Sequence, residues 1–510
     1  MPRPVRASLY SLVFVLGGIA VQACAQEPGA GRSERVAAVL PEIDKMYTEL
    51  AAKEHLPGLV YGVVLDGQLV HARSLGLADV ERKIAATGST EFRIASMTKS
   101  FVALAALKLR DEGKLQLDDP VAAILPELRR VKLPTTDSPA LTIRHLMTMT
   151  TGLPEDNPWG DRQMALPNAR IEQLVGAGLS FSNAPGESFE YSNLGYILLG
   201  KVVSKVSGMR FQDYVTRQIL RPLGMHDTRW EYTQAAPGKL ALGYRWERDH
   251  WEAEPILSDG DGAAMGGLIT TADDFARYVA FHLDAWPARN APERGPVKRA
   301  SRREMQLPHA FTGLSTRATL SDMKTPNPNV GFYSYGLVWQ RDSRNVVTSG
   351  HSGGLPGFGS QYRFAPDHGV GVFAFTNLRY GPVYGPTARA LAMLVERADL
   401  GPRPVPVSPI LATRHTQVAQ LLQSWDPSLA GAIAAENLFL DRSREDWIAH
   451  AREKLEPIGP ITSVGPIKAE NGLRGSFPLV GERGTINVKF TLTPEREPKV
   501  QEIELTPAKQ

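Results

Sequence analysis

At 510 residues, with 43% hydrophobic and 22% charged content, the chain has room for a large catalytic domain plus a smaller one and reads as an ordinary soluble protein. Its 57 basic residues against 54 acidic ones leave a net charge of +3, which excludes a nucleic-acid partner held by a basic field. Cys24 is the only cysteine, so no intrachain disulfide forms; no His-Glu-x-x-His spacing marks a metallohydrolase, and no metal or other cofactor is expected.

Arg3 and Arg6, the apolar run Leu9 to Ala20 and the triplet Ala23-Cys24-Ala25 form the three parts of a secretory signal over residues 1–25. The apolar run is too short to span a membrane. Cleavage after Ala25 gives an exported protein, periplasmic or secreted. Val21-Gln22-Ala23-Cys24 also loosely resembles a lipoprotein box, which makes a lipid anchor on Cys24 the alternative to soluble export.

Residues 34–400 read as one domain. Val36, Leu40, Ile43, Tyr47 and Leu50 recur at helical spacing and predict an amphipathic helix. Gly58 to Leu65, the turn Asp66-Gly67 and Gln68 to Leu75 predict a β-hairpin.

The stretch Phe92-Arg93-Ile94-Ala95-Ser96-Met97-Thr98-Lys99-Ser100-Phe101 then carries the chemistry. Residues three apart share a helix face, so the Ser96 hydroxyl and the Lys99 amine can meet. Val102, Leu104, Ala105, Leu107 and Leu109 make the helix largely buried, with Ser96 at its positive end, where a forming anion is stabilised. A desolvated lysine loses its proton more readily and can accept the serine proton, which turns a weak hydroxyl into a nucleophile. The tetrad alone is weak, since Ser-x-x-Lys arises about once or twice by chance in a chain of this size. Ser321-Asp322-Met323-Lys324 is a second copy, placed by its polar neighbours and Pro326-Asn327-Pro328 in a loop.

From Leu115 to Leu199 the pattern is mostly helical and contains Thr142 to Leu153 and Phe189-Glu190-Tyr191-Ser192-Asn193-Leu194-Gly195-Tyr196. After Gly266-Gly267-Leu268, Thr271 is placed to cap a helix with Asp274 three residues on, a structural role. Strands are predicted over Ser334 to Gln340, Val346 to Ser349, Gln361 to Phe364 and Val370 to Thr376, and a helix from about Pro386 to Asp399. Sheet segments from both ends bracket a helical middle, so the two ends are expected to complete one antiparallel sheet, with the site where sheet edge and helices face each other. Residues 401–410 are a Pro-rich linker, and 411–510 a small α+β module whose clearest strand puts Ile486, Val488, Phe490 and Leu492 on one face.

Ser96-Met97-Thr98-Lys99, Tyr191-Ser192-Asn193 and His351-Ser352-Gly353-Gly354, in that order, resemble the three motifs of the serine β-lactamase and penicillin-binding protein superfamily. More narrowly the chain is similar to the class C β-lactamase-like branch, with its D,D-carboxypeptidases, D-aminopeptidases and esterases, and the similarity extends to the segments Thr142 to Leu153 and Gly266 to Phe275. The resemblance implies an α+β fold, an antiparallel sheet flanked by helices with a helical subdomain. It implies an acyl-enzyme on Ser96, activation by Lys99, Tyr191 in the place of the general base, and Asn193 touching both Lys99 and a small-molecule or peptide substrate. His351, Ser352, Gly353 and Gly354 line the other wall, with an oxyanion hole at the backbone N–H groups of Ser96 and Gly354. Histidine and serine stand where class C β-lactamases have Lys-Thr-Gly, which shifts the reading toward carboxypeptidase, aminopeptidase and esterase relatives. A protonated His351 is the expected partner of a substrate carboxylate.

Two rivals remain at this level. Gly350-His351-Ser352-Gly353-Gly354 fits Gly-x-Ser-x-Gly, which makes Ser352 the nucleophile of an α/β-hydrolase only if a helix follows it. A sensor that keeps the penicillin-binding scaffold without turnover would retain all three motifs.

Overall fold

The computed structural model describes residues 30–508; the signal and lipoprotein readings, Cys24 included, lie outside them. The amphipathic helix runs Ala30–Lys53 and buries Val36, Val39, Ile43 and Tyr47, while Leu40 and Leu50 are only partly covered. The hairpin follows, Gly58–Leu65 paired with Gln68–Asp79, and Asp66 and Gly67 both take positive φ (48° and 87°), the twist that a tight two-residue turn demands.

One nine-stranded antiparallel sheet organises the domain. Its order is Ile84–Ala85, Gln68–Asp79, Gly58–Leu65, Val370–Thr376, Phe358–Ala365, Val347–Leu355, Val338–Asp342, Asn329–Tyr333, Ala310–Ser315. The two ends of the domain do meet, in register from Leu59 opposite Thr376 to Leu65 opposite Val370. Helices cover both faces, so the central strands are apolar without alternation: Val60 and Val64 face one core while Leu59, Tyr61, Val63 and Leu65 face another. The first core holds the helices Thr98–Asp111, Asn193–Ser207 and Ala272–Leu283; the second holds Ala30–Lys53 and Tyr384–Arg397.

The strand predicted over Ser334 to Gln340 begins only at Val338, because Ser334 N–H closes a turn onto Leu337 O (2.7 Å) and Gly336 is left-handed (φ 68°). That turn lets the chain pass Ser100, whose Cα would lie 2.8 Å from a Cβ at 336. Asn329–Tyr333 and Ala310–Ser315 were not foreseen; they build the sheet edge beside the site.

Beyond residues 401–408, which have no regular structure, the chain forms a further core of its own. Helices Pro409–Ser424 and Arg444–Leu455 pack on a five-stranded antiparallel sheet, and the strand Gly484–Leu492 buries Ile486, Val488, Phe490 and Leu492. Arg403 holds the connecting segment to the large sheet domain, its N–H on Asp367 O (2.6 Å) and its guanidinium on Leu283 O (2.9 Å) and Pro366 O (2.6 Å).

Candidate active site

The short strand Phe92–Arg93 pairs with Ile269–Thr270 and then breaks sharply. Ala95 takes a left-handed backbone (φ 47°), unfavourable for a residue with a Cβ, and this turns the chain so that Ser96 enters a 3-10 turn ahead of the buried helix Thr98–Asp111. Three bonds from two neighbouring residues, Leu268 and Ser360, hold the turn. Ile94 N–H bonds Leu268 O (3.0 Å), Leu268 N–H bonds the Thr98 hydroxyl (3.1 Å), and the Ser360 hydroxyl bonds Ile94 O (2.8 Å). One turn on, Ser100 accepts the hydroxyls of Tyr278 (2.7 Å) and Tyr362 (3.1 Å) and donates to Met97 O (2.8 Å), which pins the helix start to the sheet.

Lys99 is fully buried and meets three oxygens: Ser96 Oγ at 3.0 Å, Asn193 Oδ1 at 2.7 Å and the Met265 carbonyl at 2.7 Å. Desolvation pulls its pKa down to about 7, with Asp161 and Asp156 resisting through space. A neutral amine has two N–H bonds and one lone pair. Asn193 and Met265 accept the first two, since neither oxygen can donate, and the lone pair is left to the Ser96 hydroxyl.

Asn193 opens the helix Asn193–Ser207, whose N-cap is Ser192. The Asp156 carboxylate sits over that positive end and accepts the N–H groups of Asn193 (2.6 Å) and Leu194 (2.9 Å), while Asn193 Nδ2 donates to Asn157 Oδ1 (3.1 Å). Tyr191, half-buried just before it, faces Ser96 with its hydroxyl, and Lys99 Nζ lies 4.9 Å from its ring centre. Burial raises the phenol pKa well above its usual range and the contact with Ser96 offsets only part of this. Tyr191 is therefore a phenol at rest, whereas the Lys99 amine is held near neutrality beside Ser96.

The third motif lies on the strand Val347–Leu355, opposite Phe358–Ala365. Gly353 passes directly over the nucleophile turn, where a Cβ would come within 2.3 Å of both Ile94 O and Ser360 Oγ. Ser352 pairs with Gln361 in mid-strand, and another strand follows; the helix that an α/β-hydrolase elbow requires is absent there. The second Ser-x-x-Lys is a turn with Ser321 bonded to the Glu396 carboxylate and Lys324 exposed. Thr271 caps Ala272–Leu283 through the Asp274 N–H (3.3 Å).

His351 departs from expectation. It is 2% exposed, and Nδ1 lies 2.5 Å from Ser352 O, which can only accept, so Nδ1 carries a proton; Nε2 lies 3.0 Å from the Tyr333 hydroxyl. Burial first, then the Lys99 charge, push its pKa down to about 3. The imidazole is neutral, so the expected cation for a substrate carboxylate is not there.

Ser96, Tyr191 and all four residues His351 to Gly354 line one cleft of about 910 Å³. Lys99 and Asn193 stand behind it. Sequence reasoning missed Asp156, Asp161, Tyr333 and Tyr380; Asp161 lines the cleft and accepts the Tyr380 hydroxyl at 2.8 Å. The acids of the loop after Leu153 were the available signal, but nothing local ties them to a helix that begins some forty residues on. Among the described residues no group of His, Cys, Asp and Glu has metal-binding geometry.

The Beta-lactamase family model matches residues 43–397, more than half of the chain. The chain belongs to the beta-lactamase family. Among curated relatives it is 28% identical to Protein flp of Staphylococcus aureus (strain N315) over 343 residues, covering 66% of this chain and 63% of the relative, so it spans less than two thirds of that protein's length. It is 25% identical to penicillin-binding protein 4* of Bacillus subtilis (strain 168) over 344 residues, 64% of this chain and 69% of that one. An octameric penicillin-binding protein homologue from Pyrococcus abyssi superposes with a TM-score of 0.57 at 22% identity, covering 90% of this chain and 93% of that one. A class C beta-lactamase mutant gives 0.56 at 20% identity, covering 70% and 97%. At these identities the structural likeness establishes the fold. The family consists mainly of serine hydrolases, and its members are typically exported. No helix among the described residues is long and apolar enough to cross a membrane.

Proposed function

We propose that this protein is a serine hydrolase that cleaves an amide or ester, in a D-amino-acid peptide, a simple ester or a β-lactam, through an acyl-enzyme on Ser96. One observation carries the reading: a buried Lys99 amine with its pKa near 7, two of its hydrogens engaged, lies 3.0 Å from the Ser96 hydroxyl.

Ser96 Oγ attacks the carbonyl carbon and its proton passes to the Lys99 lone pair. The tetrahedral oxyanion collapses, the bond to the leaving nitrogen or oxygen breaks, and Tyr191 hands that atom a proton while taking one from the Lys99 ammonium. A water then attacks the ester on Ser96 with neutral Lys99 as base, releasing the acid and restoring the serine. Residues 1–25 direct the chain out of the cytoplasm; residues 401–410 act as linker and 411–510 as a separate module.

Intact-mass measurement after treatment with a penicillin or a fluorophosphonate tests the assignment. An adduct present in the native chain and absent from Ser96→Ala supports it, and an adduct on Ser352 overturns it. A penicillin adduct that persists, with no turnover of a chromogenic ester, would instead mark a binding or sensor protein.

A further inference from the structure

The lining of the cleft has a sign. Three carboxylates face it, Glu155, Asp161 and Glu190, and among the described residues no lysine or arginine lines it. The two basic side chains nearest the nucleophile are both engaged by the protein. Lys99 lies behind the wall with its amine directed at three protein oxygens, and His351 is buried with both ring nitrogens engaged, Nδ1 at Ser352 O and Nε2 at the Tyr333 hydroxyl. Arg162 and Arg379 act on this region through space but stand outside the lining, and Arg379 faces Glu254.

The three acids differ in what they have left to offer. Glu190 accepts Glu155 N–H (3.2 Å) and Asn183 Nδ2 (3.0 Å), and Glu155 accepts Asn157 Nδ2 (3.1 Å). Asp161 is 7% exposed and takes one donor, Tyr380 Oη, on Oδ2, which leaves Oδ1 with no protein partner. A carboxylate fixed by one protein donor, with its other oxygen open to the cleft, can receive a donor that bears a positive charge.

We propose, building on the hydrolase reading, that the cleft selects substrates bearing a cationic amine and that Asp161 receives it. A carboxylate-bearing substrate enters a field of its own sign with no lysine or arginine in the lining to meet it, whereas an ammonium finds the free oxygen of Asp161 in the same cleft as Ser96.

The test compares three p-nitroanilides of D-alanine: the free amine, the neutral N-acetyl derivative and the N-succinyl derivative, which carries a carboxylate. The free amine is expected to exceed the succinyl compound in kcat/KM by about tenfold or more at low salt, with the gap narrowing as salt rises. Asp161→Asn keeps an acceptor for Tyr380 and should bring the amine-to-acetyl ratio down by about tenfold. The ratio is the readout, because Asp161 also acts on Lys99 through space and its loss alters every rate. An unchanged ratio, or a native enzyme that prefers the succinyl compound, overturns the proposal. Binding to Ser96→Ala separates this from failure of the hydrolase reading: calorimetry should detect benzylammonium and not benzoate, and Asp161→Asn added to Ser96→Ala should erase the difference. Equal binding of the two ions overturns the charge assignment whether or not any substrate is turned over.

Discussion

The Tyr333 hydroxyl lies 3.0 Å from His351 Nε2, so the third motif is tied into a buried wall through the far side of its ring. With Nδ1 committed to Ser352 O, burial and the neighbouring Lys99 amine both oppose a second proton on the ring. The histidine is a neutral spacer. The charge chemistry of the cleft falls to Lys99 on the nucleophile side and to the carboxylates on the other.

Lys99 should set the pH profile. With its pKa near 7, the neutral, proton-accepting form grows as pH rises through that value, so kcat/KM for an uncharged ester should climb through about pH 7 and then level. Lys99→Met should lose activity by roughly a hundred to ten thousand fold while remaining folded. A profile that is flat from pH 5.5 to 8.5 would place the base elsewhere.

Gly353 should tolerate no side chain. A Cβ there meets Ile94 O and Ser360 Oγ at 2.3 Å, so Gly353→Ala must push the strand off the nucleophile turn, at a cost on the order of 1–3 kcal/mol. Ser96 labelling by a fluorophosphonate should slow sharply. Gly385→Ala, on the helix Tyr384–Arg397 with nothing near its Cβ, is the control and should be neutral or stabilising. Equal labelling rates in the two variants would mean that the 353–354 backbone does not position the serine turn.

The parts of this site that were legible in the sequence are those carried by local spacing. Ser96 and Lys99 are one helical turn apart, Asp66-Gly67 dictates its own hairpin, and the glycines after His351 mark a place of close backbone approach, although the strand predicted there stops at Ser349 and the observed one runs on to Leu355. The parts that were not legible are long-range. The state of His351 depends on Tyr333, whose strand follows a proline-rich loop and gives little periodic signal, and that of Lys99 depends on a carbonyl from Met265, invisible to any reading of side chains. The protonation of Tyr191 is long-range too, since it is burial that keeps its phenol protonated.

Acid should destabilise the fold through its buried neutral histidines. Burial lowers His282 and His351 from 6.5 to about 3, so between those values the unfolded chain binds protons that the native chain refuses, and stability falls as pH falls. Each histidine contributes on the order of 1 kcal/mol per pH unit within the window. Thermal melts should drop steadily from pH 6.5 to 4.5. His282→Asn keeps an acceptor for Gln306 Nε2, which lies 3.2 Å from the ring, and should flatten part of that slope. An unaltered slope would show that His282 titrates normally in the native protein.

His351→Lys is the sharpest test of the neutral wall. Because His351 holds no proton down to about pH 3, the native ratio of kcat/KM for a carboxylate-bearing cephalosporin to that for a p-nitrophenyl ester should be low. The part of that ratio due to residue 351 should stay flat from pH 5 to 9, rather than fade past neutrality as a protonated imidazole would require. A lysine at 351 reaches the same cleft wall with a strongly hydrated ammonium that resists burial, so it should turn toward the cleft and raise the ratio by about tenfold or more. It also adds a cation near Lys99, which lowers the pKa of that amine further and moves the ester profile to lower pH. Both changes should appear together. A raised ratio without the shifted profile would mean that the new amine meets substrate away from the catalytic pair, and an unchanged ratio would mean that residue 351 does not face the substrate's charged end.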